Sequence, residues 1–113
     1  MLKACRYAGV FVCLAVTIPL AGASEDNPSE EQIEMGREVF TSAEPACVVC
    51  HTLQDAEAAG RIGPNLDDLQ PSEDQVRLVV RGGAGAMPAY EGLLSDEEID
   101  AVAAYVAHAA GGE

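Results

Sequence analysis

The chain has 113 residues, 19 of them acidic against 6 basic, for a formal net charge of −13. That length bounds the protein to a single domain, and so acidic a chain excludes nucleic-acid binding, which needs basic patches to neutralise phosphates. Aromatic residues make up only 4% of it, so its side chains alone are short of core material, and something large and apolar would remedy the deficit.

In chain order, the first feature is a leader. Lys3 and Arg6 form a basic start, Ala8 to Leu20 is an apolar run closed by Pro19, and Ala21-Gly22-Ala23 has the small-x-small form of a cleavage site. This is a Sec-type signal peptide over residues 1–23, too short and wrongly flanked for a membrane span. It implies export to the periplasm, a mature domain over 24–113, and no stable membrane insertion after cleavage. Cys5 and Cys13 leave with it. Every acidic residue lies beyond Ser24, opposed only by Arg37, Arg61, Arg77 and Arg81, so the mature chain carries a formal −15.

Ser29 followed by Gln32 is a capping-box pattern, and Glu30 and Glu31 suit the positive end of a helix dipole. The first helix is therefore expected near 30–41. Ile33, Gly36 and Phe40 share one of its faces. A glycine inside a helix costs about 1 kcal/mol against alanine, so Gly36 asks for a reason. Close approach of another helix supplies one, with Tyr105 as the expected neighbour.

Cys47-Val48-Val49-Cys50-His51 comes next and reads C-x-x-C-H, the pattern of covalent c-type haem attachment. Two thiols on one turn reach the two vinyl groups of a porphyrin edge, and the adjoining histidine lies under the metal. A short helical turn is expected over roughly 47–53. C-x-x-C alone also fits a thioredoxin-type redox pair or half of a zinc site. Structural zinc wants four ligands, and beyond Cys50 the only candidate cysteine or histidine apart from His51 is His108. A redox pair should open a helix after a strand, and no strand-rich stretch is visible.

Residues 54–71 and 82–94 carry Gly, Pro and Asn and read as loops. Between them, Ser72 with Gln75 opens a helix near 73–81 that stops at Gly82-Gly83, and Ser95 with Glu98 opens another near 96–109 that stops at Gly111-Gly112. Ile99, Val102, Ala103 and Val106 form an apolar stripe at helical spacing along the last helix, with Tyr105 beside it. No useful run alternates with period 2, so the domain is expected to be all-α.

If His51 is one axial ligand of an iron, the second comes from Met35, Met87 or His108. Met87 is favoured. It lies in a glycine-rich loop that could pass close to a flat macrocycle without side-chain clash, and Pro88 stiffens the chain beside its sulfur.

The first helix with Gly36 and Phe40, Cys47-Val48-Val49-Cys50-His51, Gly63-Pro64-Asn65-Leu66, Met87-Pro88 and the final helix with Tyr105 occur in that order. Together, over Ser29 to Ala110, they resemble the small soluble class I (monohaem) cytochromes c. The resemblance implies the cytochrome c fold, with three main helices, a short haem-motif helix and loops around one covalent haem c whose iron lies between His51 and Met87. It also implies that the Pro64 carbonyl accepts the Nδ1–H of His51, that Asn65 holds the loop, and that Leu66 packs on the porphyrin. Arg61 or Arg81 is a candidate partner for the propionates. The lysine ring of the best-known members is absent.

The function implied is that of an exported one-electron carrier, not an enzyme. It would shuttle electrons between a periplasmic dehydrogenase or quinol-oxidising complex and a terminal acceptor. The alternative is a dedicated haem c subunit bound tightly to a periplasmic dehydrogenase. The acidic surface predicts redox partners with basic docking surfaces, and the expected state is a monomer.

Overall fold

The computed structural model describes residues 27–112, so the leader over 1–23 lies outside the described residues. In chain order it contains helix α1 (Glu30–Ser42), a 3-10 turn (Cys47–Val49), strand β1 (Thr52–Leu53), a second 3-10 turn (Gln54–Ala56), strand β2 (Ala58–Ala59), the one-turn helix α2 (Leu66–Leu69), helix α3 (Glu73–Gly82) and helix α4 (Asp96–Ala110). The helical fold agrees with the reading of the sequence, and each long helix starts at its serine. Ser72 and Ser95 make complete capping boxes with Gln75 and Glu98. At Ser29 only the hydroxyl half forms, accepting from Gln32 N at 3.1 Å. Helix α4 closes as expected on Gly111, at φ 74°, and Gly112 N–H donates back to the Ala107 carbonyl at 2.9 Å.

Two short elements interrupt the stretches read from sequence as turn and loop. The turn at Cys47 ends at Val49, and Thr52-Leu53 pairs antiparallel with Ala58-Ala59 instead of continuing a helix. Two residues are too few to write an alternation, so this hairpin leaves no periodic trace. Helix α2 is a single turn capped by Asn65, whose Oδ1 accepts from Asp67 N at 3.0 Å. An asparagine cap before Leu66-Asp67-Asp68 is the one local feature that marks it.

The core lies where α1 crosses α4. Tyr105, Phe40, Leu53, Ile99 and Val102 are its largest fully buried side chains, and burial stabilises each by roughly 2–3 kcal/mol. Tyr105 lies against Gly36, as expected. A Cβ at position 36 would sit 2.1 Å from the Ala101 carbonyl oxygen and 2.5 Å from Tyr105 Cβ, so only glycine lets the two helices approach this closely. The Phe40 and Tyr105 rings meet edge-on, centroids 5.9 Å apart at 65°, a favoured aromatic arrangement. On the other side, α3 is tied to α4 by Arg77 to Asp100 and by Arg81 to Asp96, both at 2.7 Å. Among the described residues no helix is long and apolar enough to cross a membrane.

Candidate cofactor site

The Cys47–Val49 turn is closed by Cys50 N and His51 N, which both donate to the Cys47 carbonyl at 3.1 and 3.0 Å. The two cysteines are unpaired and half-buried. Burial pushes the Cys47 thiol up to about 11, so it is protonated at neutral pH. Thioredoxin-type cysteines are the reverse, with depressed values at the start of a helix. Nor do three His, Cys, Asp or Glu side chains gather to hold a metal ion among the described residues, which removes the support a zinc site would need.

The loop from Gly60 to Pro64 wraps the motif. Gly60 N donates to the His51 carbonyl at 3.2 Å and Gly63 N to the Cys50 carbonyl at 2.7 Å. A Cβ on Gly63 would stand 2.6 Å from His51 Cε1, so its absence is what lets the loop lie flat against the imidazole. The next residue supplies the partner: His51 Nδ1 lies 2.8 Å from the Pro64 carbonyl oxygen. A carbonyl only accepts, so Nδ1 carries a proton, and in the neutral ring that leaves the lone pair on Nε2. Asn65 then turns the chain into α2, placing Leu66 in the core, while Asp67 reaches back to accept from Gln54 N at 2.8 Å.

Met87 sits in a tight turn, exchanging bonds with Ala84: Ala84 N to the Met87 carbonyl at 3.1 Å and Met87 N to the Ala84 carbonyl at 2.9 Å. Gly85, at φ 56°, makes that turn. Met87 and Cys47 are both half-buried and both pack on the main core cluster. The two alternative ligand candidates lie elsewhere. Met35 lines a groove of about 260 Å³ between α1 and the start of α4 with Val39, Ala43, Leu94 and Glu98, and His108 is exposed on the last turn of α4. Arg81 is engaged with Asp96, whereas Arg61 is exposed; of the two candidate propionate partners, Arg61 alone makes no ion pair among the described residues.

Tyr90, three residues beyond Met87, is an organising residue of the site. Its ring is 4% exposed, and its hydroxyl donates to the Pro45 carbonyl at 2.5 Å, two residues before Cys47. Burial, together with the neighbouring Cys47 and Cys50, raises its pKa above the ordinary tyrosine value. An aromatic three residues after Met87 was the available sign.

These residues fit a covalently attached haem. Two free thiols stand on one turn, an imidazole has its outer nitrogen fixed and its inner one free, and a glycine cradle admits nothing larger beside the ring.

Comparison with known proteins points to the same family. Residues 31–106 match the family described as cytochrome c oxidase, cbb3-type, subunit III. The chain is similar to cytochrome c6 of Bryopsis maxima, at 38% identity over 84 residues covering 66% of this chain and 88% of that one. With cytochrome c6 of Diacronema lutheri it shares 32% identity over 84 residues, 70% of this chain and 98% of the relative. Among solved structures, the c-type cytochrome SorU from Sinorhizobium meliloti superposes with a TM-score of 0.71 at 52% identity, covering 74% of this chain and 95% of SorU.

Proposed function

We propose that this chain, which belongs to the cytochrome c family, is an exported one-electron carrier with its iron held between His51 and Met87. It carries one covalent haem c, and it is an electron-transfer protein rather than an enzyme. Haem c, held by these residues, would supply a one-electron ferric–ferrous couple.

The chain's own residues do the rest. Cys47 and Cys50 hold the porphyrin through thioether bonds, so a small exported domain does not lose it. Pro64 fixes the His51 tautomer and ring orientation, which keeps Nε2 available to iron. Met87 offers a thioether, which favours ferrous iron and raises the potential relative to two histidines. His51 and Met87 together would leave no position for an external ligand, and both side chains could keep their places when the charge changes. The observation that carries this reading is the His51 Nδ1 to Pro64 bond at 2.8 Å, since it leaves one ring nitrogen available to a metal.

The carrier works in the periplasm as a monomer, its leader removed near Ala23, between a dehydrogenase or quinol-oxidising complex and a terminal acceptor. Replacing Met87 with alanine tests the ligand pair. The variant should lose the far-red band that a thioether gives ferric haem. Its potential should fall by on the order of 0.1 V, within the roughly 0.8 V that axial ligands span. An unaltered spectrum and titration would remove Met87 from the iron. The mass of the periplasmic protein should equal residues 24–113 plus one haem.

A further inference from the structure

We infer that Tyr90 is a positioning residue whose hydroxyl clasps the Met87 loop onto the segment entering the haem-attachment turn. The proposal rests on the reading of Met87 as an iron ligand.

From Gly83 to Ala89 the loop is mostly exposed, and its internal bonds are confined to the Ala84–Met87 turn. Beyond the packing of Met87 on the core, such a loop has little to hold its sulfur in one place. Tyr90 supplies the anchorage at its end. Its N–H donates to the Val80 carbonyl at 2.8 Å, while its own carbonyl accepts from Leu93 N and Leu94 N at 2.9 Å each. That fixes the backbone against α3 and the approach to α4. The ring is buried, and the hydroxyl alone reaches across the chain, spanning 45 residues of sequence to the Pro45 carbonyl at 2.5 Å. Among the described residues no other hydrogen bond joins the 83–90 loop to residues 43–51. Cys47 and Met87, which flank this bond in sequence, are the two ends that must stay in register on one porphyrin.

Opening of the loop lifts the thioether from the iron, and an external ligand binds in proportion to the open fraction. Tyr90→Phe keeps the buried ring and removes only the hydroxyl. Titrating the ferric holoprotein with imidazole, followed by the far-red band, reads that fraction directly. Loss of a hydrogen bond of ordinary net strength predicts about fivefold tighter imidazole binding in Tyr90→Phe. Ser29→Ala, which deletes a helix cap on α1, is the control for general loosening and should leave the imidazole affinity unchanged. Equal affinity in wild type and Tyr90→Phe overturns the clasp, and so does an equal rise in both variants. A wild-type protein lacking the far-red band altogether overturns Met87 as ligand, and the clasp with it. That outcome is distinguishable because it appears before any variant is made.

Discussion

At the scale of single residues, the attachment motif depends on what its neighbours lack. Gly63 is the sharpest case. The space its missing side chain leaves is filled by His51, whose Cε1 and Nδ1 would lie 2.6 and 2.9 Å from a Cβ there. Neither the ring nor the loop can yield easily, because Gly63 N is bonded to the Cys50 carbonyl and Pro64 holds Nδ1. Gly63→Ala should therefore tilt the imidazole and weaken the Pro64 bond. The expected outcome is a destabilisation of about 1–3 kcal/mol, typical of overpacking, with an altered ferric spectrum. Denaturant midpoints and absorbance of the purified variant check both. Gly63-Pro64 is legible in the sequence as part of a resemblance, but the reason for the glycine lies in the tertiary contact with His51. The contact runs across 12 residues of chain to a ring whose position no local pattern specifies.

At the scale of elements, the three long helices were readable because each begins with a serine cap and an acidic first turn, which are local devices. Their mutual packing turns on Gly36. Substituting alanine there adds about 1 kcal/mol of helix propensity, yet places a Cβ at 2.1 Å from the Ala101 carbonyl, a backbone atom that cannot swing aside. Gly36→Ala should therefore destabilise the protein by roughly 3 kcal/mol despite the better helix former, measured by thermal or denaturant unfolding of the holoprotein. A neutral result would mean that α1 and α4 separate at little cost.

The same crossing carries a polar clamp that the sequence did not reveal. Tyr105 Oη donates to Asp55 Oδ2 at 2.7 Å, and Arg37 pairs with Asp55 at 2.8 Å while lying over the Tyr105 ring at 5.5 Å. Asp55 sits in the turn between β1 and β2, so the clamp ties the hairpin that follows His51 to both long helices. Burial first, then the bond to Asp55, raises the Tyr105 pKa above the ordinary value.

At the scale of the whole molecule, the charge is more one-sided than a count suggests. Arg37, Arg77 and Arg81 are all engaged within the chain: Arg37 with Asp55, Arg81 with Asp96, and Arg77 with Glu73, Asp74 and Asp100 together. Partly exposed pairs of this kind add little stability, about 0–1 kcal/mol each. Their larger effect is to leave the remaining carboxylates opposed by Arg61 alone among the arginines. Association with a basic electron donor should accordingly be steered, with a second-order rate constant that falls about tenfold or more from low to high ionic strength. Stopped-flow measurement against salt checks this, and a flat profile would assign the acidity to solubility alone.

What the sequence determined by itself was local or compositional. It contained the attachment motif, the helix starts at Ser29, Ser72 and Ser95, the glycine stops, the acidic balance and a composition poor in aromatic core material. Each is a property of residues adjacent in the chain or summed over it. Tertiary structure alone decided the hairpin at Thr52, the pairing of Tyr105 with Asp55 and Arg37, and the reach of Tyr90 to Pro45. Those depend on which distant segments meet, and two-residue strands or single hydroxyl contacts leave no period along the chain for a reader to find.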